Sequence, residues 1–486
     1  MTIKNLKPEL VWGIFHEITQ VPRPSKKEGK IREWLINFAQ KHNREYKVDE
    51  IGNVAMFRPA APGFENVPGI CMQGHMDMVC EKNSDVNHNF DTDPIETIID
   101  GEWVRANGTT LGADNGIGMA AALAALTDPE LKAGPLCALC TVDEETGLTG
   151  ATKVGEGMIR ADYLLNLDSE DDGEICMGCA GGRDSNAIFT YTPTPAPQHF
   201  TYFCIAFKKF TGGHSGTDIN TERASANKVV SRFLYNWMEC CPETVLAEIK
   251  GGNLRNAIAR EAFAVVGVPA SKKEALSVAL NSYEADLRVE FKRTETTFEV
   301  EIASVPAPEV VIDQCTARRV VAALYSAPHG VTYYSKEMEG LVETSTNLGA
   351  IKMPGNNTIV VSTLQRSSVE SRKADIVGQV VAHFKLAGAN VVCDDGYQGW
   401  APNMDSKILT VAVDAYENLY GEKPKVNAIH AGLECGLFLA KYPHLDMISF
   451  GPTMRGVHSP QEKLHIPAVV KYWDLLRGII NAVANK

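Results

Sequence analysis

The stretch GICMQGHMDMVCEKN, residues 69–83, places a histidine and an aspartate two positions apart inside an apolar run. Cys71, Met72, Met76, Met78 and Val79 surround His75 and Asp77, so the segment reads as a strand entering a core. Side chains at i and i+2 of a strand share a face. A carboxylate beside an imidazole fixes its tautomer and raises its basicity, the usual support for a metal-binding histidine. The plain alternative is a buried His–Asp pair that only satisfies itself.

Further polar residues follow apolar runs in the same way. Asp114 precedes the Ala-rich NGIGMAAALAAL, Glu144 and Glu145 follow LCALCTVD, Asp168 follows YLLNL, and His458 lies in GVHSPQE after LDMISF. Two histidines with several carboxylates suit Zn²⁺, Mn²⁺ or Co²⁺. Two ions ~3.5–4 Å apart need a bridging carboxylate and are suited to hydrolysis. Asp114, just before a helix, is placed to bridge; as a plain residue it would be a helix N-cap. The adjacent acids Glu144 and Glu145 could form a solvated turn, but the buried strand before them brings them out at a sheet edge. Adjacent acids serve one ion poorly, so one as ligand and one as base is the better division.

The elements that must hold these residues alternate. Apolar strands lead into polar loops and then helices, which predicts an α/β fold with a mostly parallel, doubly covered sheet. Ligands bind at the carboxyl ends of such strands, where these polar residues fall. The middle of the chain differs. After GGRDSN comes the Pro-broken YTPTPAPQHF, then alternating runs such as FTYFCIAFKKF and NTIVVSTLQRSS. The expected domains are therefore 1–185 and 400–486 for a first domain, with 186–399 as an inserted α+β lid large enough for two similar halves.

The chain has 486 residues and a formal net charge of −13. That balance argues against nucleic acid or an anionic membrane as partner. The N-terminal segment reads as an amphipathic helix from about Pro8, ended by VPRP, with no signal-type apolar region, and no run is long enough to span a membrane. A cytoplasmic protein is expected, with its twelve cysteines reduced. Cys137 and Cys140 would point to opposite faces of a strand. Cys176 and Cys179 could clasp a metal, but no second C-x-x-C follows at zinc-ribbon spacing.

The motifs GHMDMV, GTTLGADNGIG, TVDEETG, LNLDSED and GVHSPQE, in this order, resemble those of the co-catalytic zinc exopeptidases, the family of aminoacylases, carboxypeptidase G and carnosinases. Within it, VPRPSKKE, DTDPIETIIDGEWVRANGTTLGADNG and IHAGLECG resemble the aminoacyl-histidine (cytosol non-specific) dipeptidases. The resemblance covers essentially the whole chain. It implies two divalent ions per subunit, Zn²⁺ foremost with Co²⁺ or Mn²⁺ as substitutes. His75 and Asp168 would hold one ion and Glu145 and His458 the other, with Asp114 bridging. Asp77 would orient His75, and Glu144 would be the general base. The Asp114–Asn115 peptide bond would be cis. His214, in TGGHSGTD, would stabilise the oxyanion, from its own subunit or a partner's. Arg366 would pair with the substrate carboxylate, which a guanidinium can grip bidentately. Asn256 and Gly432 would contact substrate amide and carboxylate, and Glu434 the substrate's amino group. The implied activity is hydrolysis of Xaa-His and other unblocked dipeptides by a homodimer. Two rivals share much of this pattern: an N-acyl amino acid deacylase, and a binding protein that has kept the fold without activity.

Overall fold

The computed structural model describes residues 2–485. The chain divides into two compact units. The first comprises the chain up to Cys179, Trp400–Ala428 and the part from Leu433 onward; the second comprises Ala180–Gly399 and Ile429–Gly432.

The first unit is built on an eight-stranded sheet. At its centre Ile70–His75 runs parallel to both Leu136–Thr141 and Tyr163–Asn166, and Asp446–Ser449 runs parallel to Tyr163–Asn166. Antiparallel strands flank this centre: Val54–Arg58 and Glu45–Val48 on one side, Glu174–Cys179 on the other. Ile70–His75 and Leu136–Thr141 are buried at every position. A parallel strand covered on both faces has no solvent side, so its sequence is mostly apolar instead of alternating, with Gln73, His75 and Thr141 as the buried polar exceptions. Because the central strands are parallel, His75 and the loops bearing Glu144, Asp168 and His458 all leave by the same sheet edge.

The helix Ala113–Thr127 contacts Ile70–His75 and Leu136–Thr141. It is buried almost all round and carries no polar face. Alanine and glycine permit this close approach. A Cβ on Gly118 would run into the Asn115 amide and the Leu167 carbonyl. The expected first helix is present as Glu9–Thr19, with Pro8 at its N-cap. A small four-stranded sheet joins the hairpin Thr97–Asp100/Trp103–Ala106 to the hairpin Met454–Arg455/Lys463–His465, whose loop bears His458.

The second unit holds a nine-stranded sheet. Its strands Glu299–Val305, Phe200–Lys208, Ala262–Pro269 and Val245–Gly251 form one antiparallel run. Val342–Gly355, Thr358–Ser367, Gly181–Thr190 and Asn390–Cys393 form another. The two runs meet at one pair, Gly251 and Ile351. Helices Ala226–Cys240, Lys273–Glu290, Gln314–Ser326 and Glu370–Leu386 supply apolar side chains to its core, which gathers Phe207, Phe233, Leu280, Leu324 and Phe384. GGRDSN lies inside the strand Gly181–Thr190, because its residues pair with Ser362–Ser367 across the sheet. The unit therefore begins at Ala180, ahead of the expected 186. Ile429–Gly432 also groups with it, where Ala180 donates its N–H to the carbonyls of Ile429 and Ala431.

Among the described residues no disulfide joins any of the twelve cysteines. No helix among the described residues is long and apolar enough to cross a membrane.

Two glycine substitutions test this packing. Gly118→Ala is expected to lower stability by ~1–3 kcal/mol, because backbone and a buried amide must shift to admit a methyl group. Gly378→Ala, in a helix with nothing within 4 Å of the new Cβ, is expected to be neutral or to stabilise by ~0.4–1 kcal/mol. Thermal melts of both variants check the pair; a Gly118→Ala melt at or above wild type contradicts the close approach.

Candidate active site

His75 ends its strand, 1 % exposed. Its Nδ1 lies 3.3 Å from Asp77 Oδ1, and its Nε2 lies 2.9 Å from Asp114 Oδ1 and 3.5 Å from Asp168 Oδ1. On the far side of the Asp114 carboxylate, Oδ2 is 3.1 Å from His458 Nε2, which is also 3.0 Å from Glu145 Oε2. Asp114 therefore faces one histidine with each oxygen. Two groupings of donor atoms, His75/Asp114/Asp168 and Asp114/Glu145/His458, are each close enough to surround a metal ion, and they share Asp114.

Asp114 does not act as the N-cap of its helix. That position is Gly112, and Asp114 and Asn115 have non-helical dihedrals at the helix start. The Asp114–Asn115 peptide bond is cis, as the family resemblance implies. Asn115 is buried, and its side-chain amide donates to the Leu167 carbonyl at 2.8 Å.

Asp77 does more than orient His75. It accepts from Ser25 Oγ at 2.8 Å and from the backbone N–H groups of Glu144 and Glu145 at 3.1 and 3.2 Å. One carboxylate thus fixes both the imidazole and the short helix Glu144–Gly147. Burial would raise the pKa of Asp77, but the hydrogen bonds from His75 and Ser25 and the nearby imidazolium outweigh it and bring it to about 2.

The other groups show how much negative charge is concentrated here. Burial pushes Glu144 well above the usual carboxylate range, reinforced by Asp168, Glu434 and Glu145 against the opposing pull of His75. Burial also raises Asp168 to about 6. Burial disfavours a charged His75, yet Asp168, Asp114 and Asp77 hold its pKa well above the ordinary value. Hydrogen bonds to Asp114 and Glu145 raise His458 to about 11. Asp168 Oδ1 and Glu145 Oε1 are buried with no hydrogen-bond partner among the described residues. A buried anion lacking a partner is costly, and divalent cations would satisfy these oxygens. The residues therefore fit a pair of metal ions.

Glu434, 2 % exposed, accepts from Gln73 Nε2 at 2.5 Å and Thr141 Oγ1 at 2.9 Å, while its Oε1 has no hydrogen-bond partner among the described residues. Burial, with Asp168 nearby and His75 opposing, places its pKa at about 8.

In the second unit, His214 and Arg366 come together. Arg366, 4 % exposed, donates from Nη1 to Tyr397 Oη at 2.7 Å and from Nε and Nη2 to Ser215 Oγ at 3.3 Å. Nη2 lies 3.3 Å from His214 Nε2. His214 Nδ1 accepts from the backbone N–H groups of Gly216 and Thr217 at 3.3 and 3.2 Å. Nδ1 is thus the unprotonated nitrogen, and in a neutral ring the hydrogen sits on Nε2. Burial and the Arg366 charge both lower the His214 pKa and keep the ring neutral, against a smaller pull from Asp218. Nε2–H and Nη2–H are both donors, so an acceptor between them would satisfy both. Gly432 packs against the Tyr397 ring. Asn256 is exposed, with its carbonyl accepting from Ser215 N at 2.9 Å.

A profile for Peptidase family M20/M25/M40 matches residues 71–482. The chain belongs to that peptidase family, whose members hydrolyse peptide bonds. It is 40% identical over 484 residues to the cytosol non-specific dipeptidase of Escherichia coli K12, covering 100% of this chain and 99% of that one. It superposes on the aminoacylhistidine dipeptidase of Vibrio alginolyticus with a TM-score of 0.92 and 43% identity, covering 99% of this chain and 98% of the other. An aminopeptidase from Bacillus cereus shares the fold at a TM-score of 0.57 and 17% identity, covering 99% of each chain.

Sequence reasoning missed Ser25, Arg23, Gln73, Thr141, Ser215, Tyr397 and Glu462. Arg23 and Ser25 lie in VPRPSKKE, Gln73 beside GHMDMV, Thr141 in TVDEETG, Ser215 in TGGHSGTD and Glu462 in GVHSPQE. They act through residues far away in the chain, and residue type and spacing within these motifs do not reveal those partners.

Asp77→Asn keeps the shape but turns one acceptor oxygen into a donor facing N–H groups. Removing such supporting partners typically costs ~10–100-fold in metal affinity or activity. Peptide hydrolysis by the variant is expected to fall in that range, and a rate within twofold of wild type would show that Asp77 is dispensable.

Proposed function

We propose that the protein is a dinuclear metal-dependent dipeptidase that cleaves unblocked dipeptides, Xaa-His among them. The observation that carries this is the Asp114 carboxylate, 2.9 Å from His75 through Oδ1 and 3.1 Å from His458 through Oδ2. His75 and Asp168 would hold one ion, Glu145 and His458 the other, and Asp114 both. Zn²⁺ is the first choice, with Co²⁺ or Mn²⁺ able to replace it. When bound, such ions polarise the scissile carbonyl and make water acidic.

Glu144 takes a proton from the attacking water and returns it to the leaving amine. Its buried setting among other acids favours the proton-bearing form that this second step needs. Asp77 holds Glu144 in place through the backbone. Arg366 receives the substrate carboxylate, positioned by Tyr397 and Ser215, with Gly432 and Asn256 as further contacts. His214 gives its Nε2–H to the oxyanion of the tetrahedral intermediate. Glu434 receives the substrate's amino group, and this contact distinguishes a dipeptidase from an N-acyl amino acid deacylase. The likeness to the non-specific dipeptidase of Escherichia coli and the aminoacylhistidine dipeptidase of Vibrio alginolyticus supports the substrate class. We also infer a cytoplasmic homodimer, the compartment being supported by the name of the Escherichia coli protein.

A panel of dipeptides, Xaa-His included, assayed beside N-acetyl amino acids with metal analysis of the isolated protein, tests the reading. Dipeptide hydrolysis and two ions per chain are expected; preference for the N-acetyl substrates would make it a deacylase. In the same assay Glu144→Gln is expected to lower turnover by ~10²–10⁴-fold with metal content unchanged. Loss of one ion in that variant would mean that the roles of Glu144 and Glu145 are exchanged.

His214→Ala removes one donor to the oxyanion, and loss of such a donor typically costs ~10²–10³ in kcat. A fall of that size at unchanged metal content is the expected result. Mixing this variant with Glu144→Gln restores activity only if the histidine serves a partner's site. Near-normal kcat would show that His214 does not act on the oxyanion.

A further inference from the structure

A second buried carboxylate lies beside the proposed metal centre without belonging to it. Glu462 is 2 % exposed. Its Oε2 accepts from Leu111 N at 2.7 Å and Gly112 N at 2.9 Å, and its Oε1 accepts from Ala113 N at 2.7 Å and Asp114 N at 3.3 Å. Four consecutive backbone N–H groups thus converge on one side chain. The left-handed conformation of Gly112, φ +67°, turns the chain so that they can. A Cβ there would meet the Arg23 guanidinium and Met78, so the position needs glycine for space as well.

The carbonyl side of the same loop is held by a buried cation. Arg23, also 2 % exposed, donates to the Gly112 carbonyl and to those of Met76 and Asp77, the last at 2.6 Å. The loop carrying Asp114 is therefore fixed by an anion on its N–H groups and by a cation on a carbonyl. That cation also reaches the segment just after His75.

Glu462 and His458 belong to one hairpin loop between Met454–Arg455 and Lys463–His465. The loop is tied internally: Glu462 N donates to Ser459 O at 3.0 Å, and Ser459 Oγ donates to Gly456 O at 2.6 Å. The His458 loop and the Asp114 loop are thus joined through Glu462, independently of the contact between His458 and Asp114 themselves.

We infer that Glu462 is a positioning residue that presets the distance between Asp114 and His458, so that the metal site is formed before metal arrives. This rests on the dinuclear reading above. Glu462 touches neither metal nor substrate in this scheme; it acts only through the backbone of Leu111–Asp114. A simpler role, satisfying the first N–H groups of the helix Ala113–Thr127, would affect stability alone.

The experiment separates these roles. Glu462→Gln keeps the shape but sets an amide NH₂ against two of the four N–H groups. Zn²⁺ affinity of the metal-free protein is measured by competition with a chromogenic chelator, with circular dichroism as the check on folding and Asp114→Ala as the control. We expect folded Glu462→Gln to bind Zn²⁺ ~10–100-fold more weakly, and Glu462→Asp, which keeps the charge but reaches less far, to fall between it and wild type. Wild-type affinity in a folded Glu462→Gln protein would overturn the inference. Should the variants not fold, hydrogen exchange on the wild-type protein decides. The amides of Leu111–Asp114 are expected to be protected without metal, and exchange as fast as in an exposed loop would also overturn it. Failure of the wild-type chain to bind Zn²⁺ at all would count instead against the dinuclear reading.

Discussion

The first unit depends on one carboxylate placed between two histidines that lie far apart in the sequence. Asp114 meets His75, 39 residues before it, and His458, 344 residues after it. Like charges in a dry site repel strongly, and Asp77, Asp114, Glu144, Glu145 and Asp168 are gathered here around only two imidazoles. The surrounding fold has to hold these acids in place, and its form reflects that. Parallel strands deliver the site-bearing loops to one edge, a small-residue helix packs closely behind Asp114, and buried Arg23 and Glu462 grip the loop from both sides.

The same architecture accounts for the local irregularities of the backbone. Asp143 and His458 both have positive φ, +51° and +62°, a conformation uncommon for residues other than glycine. Each lies where a chain leaving the sheet must turn sharply to bring a side chain back over the strand ends. Asp143 is secured by Thr146 and Thr149, and the His458 loop by Ser459 and Glu462. Side chains that are not themselves reactive supply these restraints.

The second unit has the opposite electrostatic character at its polar cluster. Arg366 and His214 both present hydrogen-bond donors, and the ring nitrogen facing Arg366 bears the hydrogen because backbone N–H groups occupy the other. The first unit gathers buried acceptors, whereas in the second the buried Arg366 and the half-buried His214 present donors.

The residues that converge on Asp114 were legible in the sequence because their setting is unusual. An imidazole and carboxylates at the ends of apolar runs have few reasons to be there, and period and burial identify the strands that deliver them. The α/β class followed from the alternation of strands and helices for the same reason. The roles of Asp77 toward Glu144 and Glu145, of Arg23 and Glu462 toward the Asp114 loop, and of Tyr397 and Ser215 toward Arg366 were not legible. The boundary at Ala180 was also hidden, because GGRDSN looks like a loop and is a strand only through pairing with Ser362–Ser367. Local sequence records propensity and burial, which act over a few residues. Hydrogen bonds between side chains and distant backbone are set by which loops the sheet brings together, and only the tertiary structure decides that.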